Sequence, residues 1–114
     1  MLIEEFVVSY LDEHMSVPVS GEIPTPMPDS FITVERTGGS SVNKLKSATL
    51  AVQAWAESVD AAANLCADVA EAMEAIAAEP EISRCALNAS YNFTDTSTKR
   101  YRYQAVFDLV HYLN

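Results

Sequence analysis

The side chains of this sequence best suited to nucleophilic catalysis or zinc binding are Cys66, Cys85, His14 and His111. The cysteines have no CxxC spacing and no histidine near them in the sequence, so they do not form a zinc ligand set. We interpret both as small buried thiols. His14 ends a predicted helix, His111 ends a predicted strand, and neither lies in a recognisable motif. We therefore expect no catalytic residue, no cofactor and no metal ion, and a protein that is not an enzyme.

Two further patterns that could do chemistry are also weak. Gly38-Gly39 lacks the GxGxxG and GxxxxGK[ST] spacings of phosphate-binding loops. Glu4 and Glu5 are adjacent, which on a helix separates their side chains by about 100° and indicates surface charge. One enzymatic alternative stays open: a small cytosolic enzyme or ligand-binding domain whose site forms at a dimer interface, for example from His111 with Cys85.

The composition predicts one folded domain over residues 1–114, because roughly 100–150 residues suit a single hydrophobic core. Hydrophobic residues make up 49% of the chain, which excludes a disordered protein. The net charge of −9 opposes binding to nucleic-acid phosphates or to anionic lipid. Acidic residues at the start and the lack of an apolar run of about 18 residues predict a cytosolic protein without a membrane span.

Hydrophobic periodicity predicts the elements that position these side chains. Two amphipathic helices are expected, over about residues 2–14 and from the N-cap Ser58 to about Ala78. Strands are expected over residues 17–21, 31–35, 46–56, 87–94 and 101–110. A proline-spaced connector is expected over 24–29, a flexible loop over 37–41 and a hairpin loop over 95–99. This order predicts an α+β fold, a mostly antiparallel sheet of about four to five strands with two helices packed on one face.

The second face of the predicted sheet also carries apolar residues. Val106, Val110 and Tyr112 alternate onto the side away from Tyr103 and Phe107, which face the helices. We expect this second face to be buried against another subunit, because a large apolar patch is unfavourable in water.

Charge is unevenly distributed along the chain. Residues 1–35 and 57–83 each contain seven acids and no base. Cations lie in or beside two predicted loops: Arg36, Lys44 and Lys46 in the first, and Lys99, Arg100 and Arg102 in the second. Acidic helices and basic loops on one chain favour head-to-tail contacts between copies, the kind of contact that closes rings. Ordinary solvated loops explain the same cations, and both interpretations stay open at this stage.

Three stretches together resemble a known family. They are residues 31–39 (FITVERTGG), 48–56 (ATLAVQAWA) and 91–107 (YNFTDTSTKRYRYQAVF). The chain resembles the tail terminator or tail-completion proteins of long-tailed, siphovirus-type phages and prophages. The resemblance covers nearly the whole chain and includes no catalytic signature. It implies an α/β sandwich that forms a hexameric ring, caps the tail tube and joins it to the head-neck.

The resemblance also implies partners and contact residues. The partners would be copies of the chain itself, the major tail tube protein, head-neck connector proteins and duplex DNA that passes through the channel without specific binding. No membrane is implied, and the location would be the virion neck, after assembly in the host cytoplasm. Subunit or tube contacts are expected at Arg36, Gly38, Gly39, Lys44, Lys46, Lys99, Arg100 and Arg102. The alternative within the same setting is another neck component, a head-closure or adaptor protein.

Overall fold

A computed structural model of the chain describes residues 1–42, 45–94, 97 and 100–113. Within them lie two helices, α1 (Ile3–His14) and α2 (Val59–Glu74), and a 3-10 turn, Ala75–Ala78. The strands are β1 (Val19–Ser20), β2 (Phe31–Val42), β3 (Leu45–Ala56), β4 (Ile82–Asn92) and β5 (Tyr101–His111). This confirms the predicted fold class, an α+β fold with a mostly antiparallel sheet.

The helices begin where the sequence provides partners for their free N–H groups. The Ser58 hydroxyl accepts a hydrogen bond from the Ala61 N–H at 3.1 Å and so caps α2. At α1, the Glu5 carboxylate accepts from the Leu2 N–H at 2.9 Å. The Tyr10 hydroxyl donates to the Ala72 carbonyl at 2.7 Å, which joins the two helices. Both helices therefore lie side by side in one layer.

The sheet has the strand order β1-β2-β3-β5-β4. The short β1 is parallel to β2, and the other pairs are antiparallel. The main core lies between the helices and one face of the sheet, where Leu50, Val52 and Phe107 pack with Val69 and Met73 of α2. Alternation along each strand turns the remaining side chains to the other face, which we call the open face because neither helix covers it.

The prediction of a flexible loop over residues 37–41 is wrong. Those residues belong to β2, which pairs with β3 as far as Val42 opposite Leu45. Glycine and serine are poor strand formers, but here the neighbouring β3 provides partners for their backbone groups. A register shift between Arg36 and Gly38 marks a β-bulge at this point. The result is a long hairpin rather than a loop.

The last part of the chain also differs from the prediction. The α-helix of α2 ends at Glu74 and continues only as the 3-10 turn, and β4 begins at Ile82 rather than at residue 87. A second register shift lies between Leu87 and Ala89. This bulge breaks the simple alternation, so Leu87 lies on the helix side while Tyr91 lies on the open face. Most of the predicted loop 95–99 lies outside the described residues.

Candidate interaction surfaces

The first candidate surface is the distal part of the β2–β3 hairpin, residues 37–42 and 45–47, which we call the arm. Every residue of 37–42 is exposed, and so is Leu45. Of the predicted contact residues, Gly38, Gly39 and Lys46 lie in the arm and Arg36 lies at its base, whereas Lys44 lies outside the described residues. The Arg36 Nε donates to the Gly38 carbonyl at 3.1 Å, which holds the guanidinium along the arm.

The second group of predicted contact residues lies at the opposite end of the sheet. The register shows this directly, because Lys46 pairs with His111 whereas Ala56 pairs with Tyr101. There Arg100 Nη1 lies 3.8 Å from Glu57 Oε1 and donates to the Asp29 carbonyl at 3.2 Å. Arg102 follows at the start of β5, and Lys99 lies outside the described residues. The structure thus separates the two cationic groups instead of joining them.

Arg102 belongs to a row of stacked side chains across the open face. Its guanidinium lies 4.8 Å from the ring centroid of Trp55 and 4.4 Å from that of Phe93. Trp55 in turn stacks on Phe31, with ring centroids 5.3 Å apart and planes inclined by 12°. Phe31, Trp55 and Arg102 are register partners on β2, β3 and β5, so the row runs at right angles to the strands. This residue therefore stabilises its own subunit.

A hydrogen-bonded ladder forms the next row of the open face. Thr33 donates to Gln53 Oε1 at 3.3 Å, and Gln53 Nε2 donates to Gln104 Oε1 at 2.7 Å. Gln104 Nε2 then donates to the Tyr91 hydroxyl at 2.6 Å. The indole N–H of Trp55 joins both rows by donating to the Thr33 hydroxyl at 3.2 Å. Sequence reasoning missed this ladder, although Thr33, Gln53 and Gln104 all fall on one face by simple alternation.

The open face is therefore less apolar than predicted. Val106 and Val110 are half-buried, and Tyr112 is exposed. Between the valines, Asp108 accepts from the Thr49 hydroxyl at 2.9 Å and from the Asn88 amide at 2.7 Å. These two hydrogen bonds hold the pKa of Asp108 below its usual range. Burial of this face against another subunit stays a prediction.

In the described residues, neither cysteine forms a hydrogen bond with a histidine. Burial, with Asp108 nearby, raises the pKa of Cys85 to about 11, so this thiol is protonated at neutral pH. Burial also raises the pKa of Cys66. His111 is fully buried, and its Nδ1 accepts from the Leu113 N–H at 3.1 Å. Burial lowers the pKa of His111, and the charges of Arg36 and Lys46 lower it further.

An apolar groove of about 300 Å³ lies between α2 and the edge strand β4. Met73, Cys85, Leu87 and Phe107 line it, together with the exposed residues Glu71 and Glu74 of α2. It exists because α2 packs mainly over β3 and β5 and covers β4 only in part. Leu87 is 52% exposed there, although its neighbours in the groove, Met73 and Phe107, are buried.

The described residues were also compared with the requirements of a metal site and of a membrane-spanning helix. There, no group of three or more His, Cys, Asp or Glu residues is placed to hold a metal ion. No helix within the described ranges is long and apolar enough to cross a membrane. Comparison with models of known protein families finds no match, and a search of curated proteins finds no similar sequence.

Proposed function

We propose that this chain is a structural protein of a long-tailed phage or prophage that caps the tail tube and joins it to the head-neck as an oligomeric ring. The resemblance of residues 31–39, 48–56 and 91–107 to tail terminator proteins supports the proposal. So does one structural observation: residues 37–42 of β2 are exposed at one side of the sheet, close to Arg36 and Lys46, whereas every charged residue of α2, which packs over β3 and β5, is acidic. Two unlike surfaces on one subunit favour head-to-tail contacts, which close into rings.

The net charge of the chain is better suited to a channel through which DNA passes than to a site that binds DNA. The chain carries a net charge of −9, and each further copy in a ring adds the same charge again. An acidic channel lets a polyanion slide, whereas a cationic lining would hold it through its phosphates. Arg100 and Arg102 already contact Asp29, Glu57, Trp55 and Phe93 within the subunit. We therefore expect no measurable affinity for duplex DNA at physiological salt.

Deletion of the gene from the phage or prophage that carries it tests the proposal. The expected result is tail tubes of uncontrolled length that are not joined to filled heads, seen by electron microscopy, and rescue by the gene supplied in trans. Tails of normal length beside unattached heads would instead indicate a head-closure or adaptor protein. A normal yield of infectious virions would contradict any role in the neck.

A further inference from the structure

β4 is the outermost strand of the sheet, so one of its sides has no neighbouring strand in the described part of the chain. It is 11 residues long, and Arg84 is its one charged residue. Leu87 is 52% exposed and Tyr91 is 40% exposed. Free sheet edges are usually short or carry charges and prolines, because an unprotected edge pairs with another strand. β4 is long, contains no proline and exposes apolar side chains, so it is suited to such pairing.

The register with β5 shows which backbone groups of β4 point away from the sheet. The Phe93 N–H donates to the Arg102 carbonyl at 2.9 Å, so Arg102 and every second residue after it on β5 point their backbone groups towards β4. The residues of β4 that lie opposite the intervening residues of β5 therefore point theirs outward. They are Cys85, Leu87, Ser90 and Asn92, which lie opposite Leu109, Phe107, Ala105 and Tyr103.

The spacing of these four outward residues is the same when it is read from either end. Regular alternation would give steps of two residues, but the bulge between Leu87 and Ala89 makes the middle step three. A regular strand therefore loses register with this edge at the bulge. A second copy of β4 that runs antiparallel has the same steps, so its outward groups meet those of the first copy on both sides of the bulge. Leu87 then lies opposite Ser90 of the second copy.

The side chains fit each other in the same register. Tyr91 of one copy lies opposite Ala86 of the other on the open face, and Leu87 lies opposite Ser90 on the helix side. Each exposed large side chain thus has a small one as its direct cross-strand neighbour. The two Leu87 side chains lie on either side of the central bulge, next to the groove of each copy. This pairing therefore covers apolar surface that the isolated subunit leaves in water.

The other free edge of the sheet is less suitable as a partner for β4. The Ile32 N–H donates to the Pro18 carbonyl at 2.9 Å, which shows the outward side of β2. The outward residues that follow on β2 have the same steps of two, three and two, because β2 also contains a bulge. However, residues 36–41 contain no apolar side chain, so Leu87 would lie opposite Gly39. Pairing with a second β4 places apolar residues on both sides of the contact.

We infer that two copies of this chain pair antiparallel through β4, around a two-fold axis at the bulge between Leu87 and Ala89. The occupant of this edge is therefore a second copy. Because a two-fold contact uses the same surface twice, it closes at the dimer and leaves no free β4 edge. The inference goes beyond the proposed ring and does not rest on it, since the ring needs contacts between two unlike surfaces.

A cross-link tests the register. Asn92→Cys places a thiol opposite the native Cys85 of the second copy, where paired Cα atoms lie about 5.5 Å apart, a distance that a disulfide spans. Diamide at alkaline pH takes up the two electrons and two protons of each disulfide formed. Disulfide-linked dimers should appear, without larger species, because each copy contributes both of its thiols to the same partner. They should disappear when Cys85→Ser is added to Asn92→Cys.

Light scattering over a concentration series provides a readout that does not depend on thiol chemistry. The wild type should form dimers, and Leu87→Lys should remain monomeric, because it places two ammonium groups close to the two-fold axis. Leu87 is exposed, so the substituted subunit should fold, which circular dichroism checks. Ile23→Lys, at a residue 49% exposed in the connector, is the matched control and should dimerise like the wild type.

Several outcomes would overturn the inference. They are a wild type that stays monomeric at every concentration, dimers that persist in Leu87→Lys, and Asn92→Cys disulfides that do not require Cys85. Ser41→Cys tests the other free edge, because that residue would lie opposite Cys85 if β2 were the partner. A series of disulfide-linked species larger than the dimer from Ser41→Cys would assign the contact to β2 instead. The gene deletion tests the proposed function separately, because its readout is tail length.

Discussion

The guanidinium of Arg102 lies between the rings of Trp55 and Phe93, and its Nε donates to the Phe93 carbonyl at 2.5 Å. A planar guanidinium can stack on one ring and donate in its own plane at the same time, which a lysine ammonium cannot do. Arg102 thus fixes the start of β5 to the segment that follows β4. The sequence analysis places Arg102 among the expected contacts with other subunits, but in the structure its guanidinium contacts Trp55 and Phe93 of its own subunit.

Arg102→Lys should lower the free energy of unfolding by about 1 kcal/mol, because it removes the stacking but keeps the charge. Urea unfolding followed by fluorescence measures this, since Trp55 is the single tryptophan of the chain. Arg84→Lys, at an exposed position on β4, is the matched control and should change stability by less than about 0.5 kcal/mol. Equal effects of the two substitutions would show that the stack contributes nothing.

Gln104→Leu should lower the free energy of unfolding by roughly 1–3 kcal/mol. The substitution leaves the half-buried Gln53 amide without its acceptor and the Tyr91 hydroxyl without its donor. The double variant with Gln53→Leu should lose less than the sum of the two single variants, because it removes both sides of one hydrogen bond. Strict additivity in a double-mutant cycle would contradict a coupled ladder.

Gly39→Ala should open the arm, whereas Gly38→Ala should not. A Cβ on Gly39 would lie 2.5 Å from the Ser47 carbonyl oxygen, so the paired backbone would have to move. A Cβ on Gly38 would meet nothing closer than Thr49 at 4.0 Å. Hydrogen exchange should show faster exchange for arm amides in the Gly39 variant only. Unchanged protection in both variants would indicate that the arm accommodates a Cβ at residue 39 without opening.

Acidification should destabilise the protein partly through His111. Its pKa in the folded state lies below the ordinary 6.5, so on acidification the unfolded chain takes up a proton before the folded one does. The free energy of unfolding should therefore fall as the pH drops below about 6.5, until the folded-state pKa is reached. His111→Leu should flatten this part of the pH profile. A profile unchanged by His111→Leu would assign the loss to other groups.

The parts of this fold that were predictable depend on patterns within short windows. The stripe of Ile3, Val7, Tyr10 and Leu11 predicts α1, and Ser58 marks the start of α2. Strong alternation from Lys46 to Ala56 predicts the central strand, which the structure shows as β3. The division of acids and bases along the chain is likewise a property of the sequence alone.

The pairing and register of the strands could not be predicted from the sequence, and only the structure shows them. Thr37–Val42 has no apolar alternation, and it becomes a strand only because β3 lies beside it. The bulge between Leu87 and Ala89 turns Leu87 to the groove and Tyr91 to the ladder, and no pattern within β4 marks where it falls. A one-residue shift of register exchanges the two faces of a strand, and the partner strand decides it. The sequence by itself therefore determined the elements and their charge, while the arm, the ladder and the groove followed from how those elements pair.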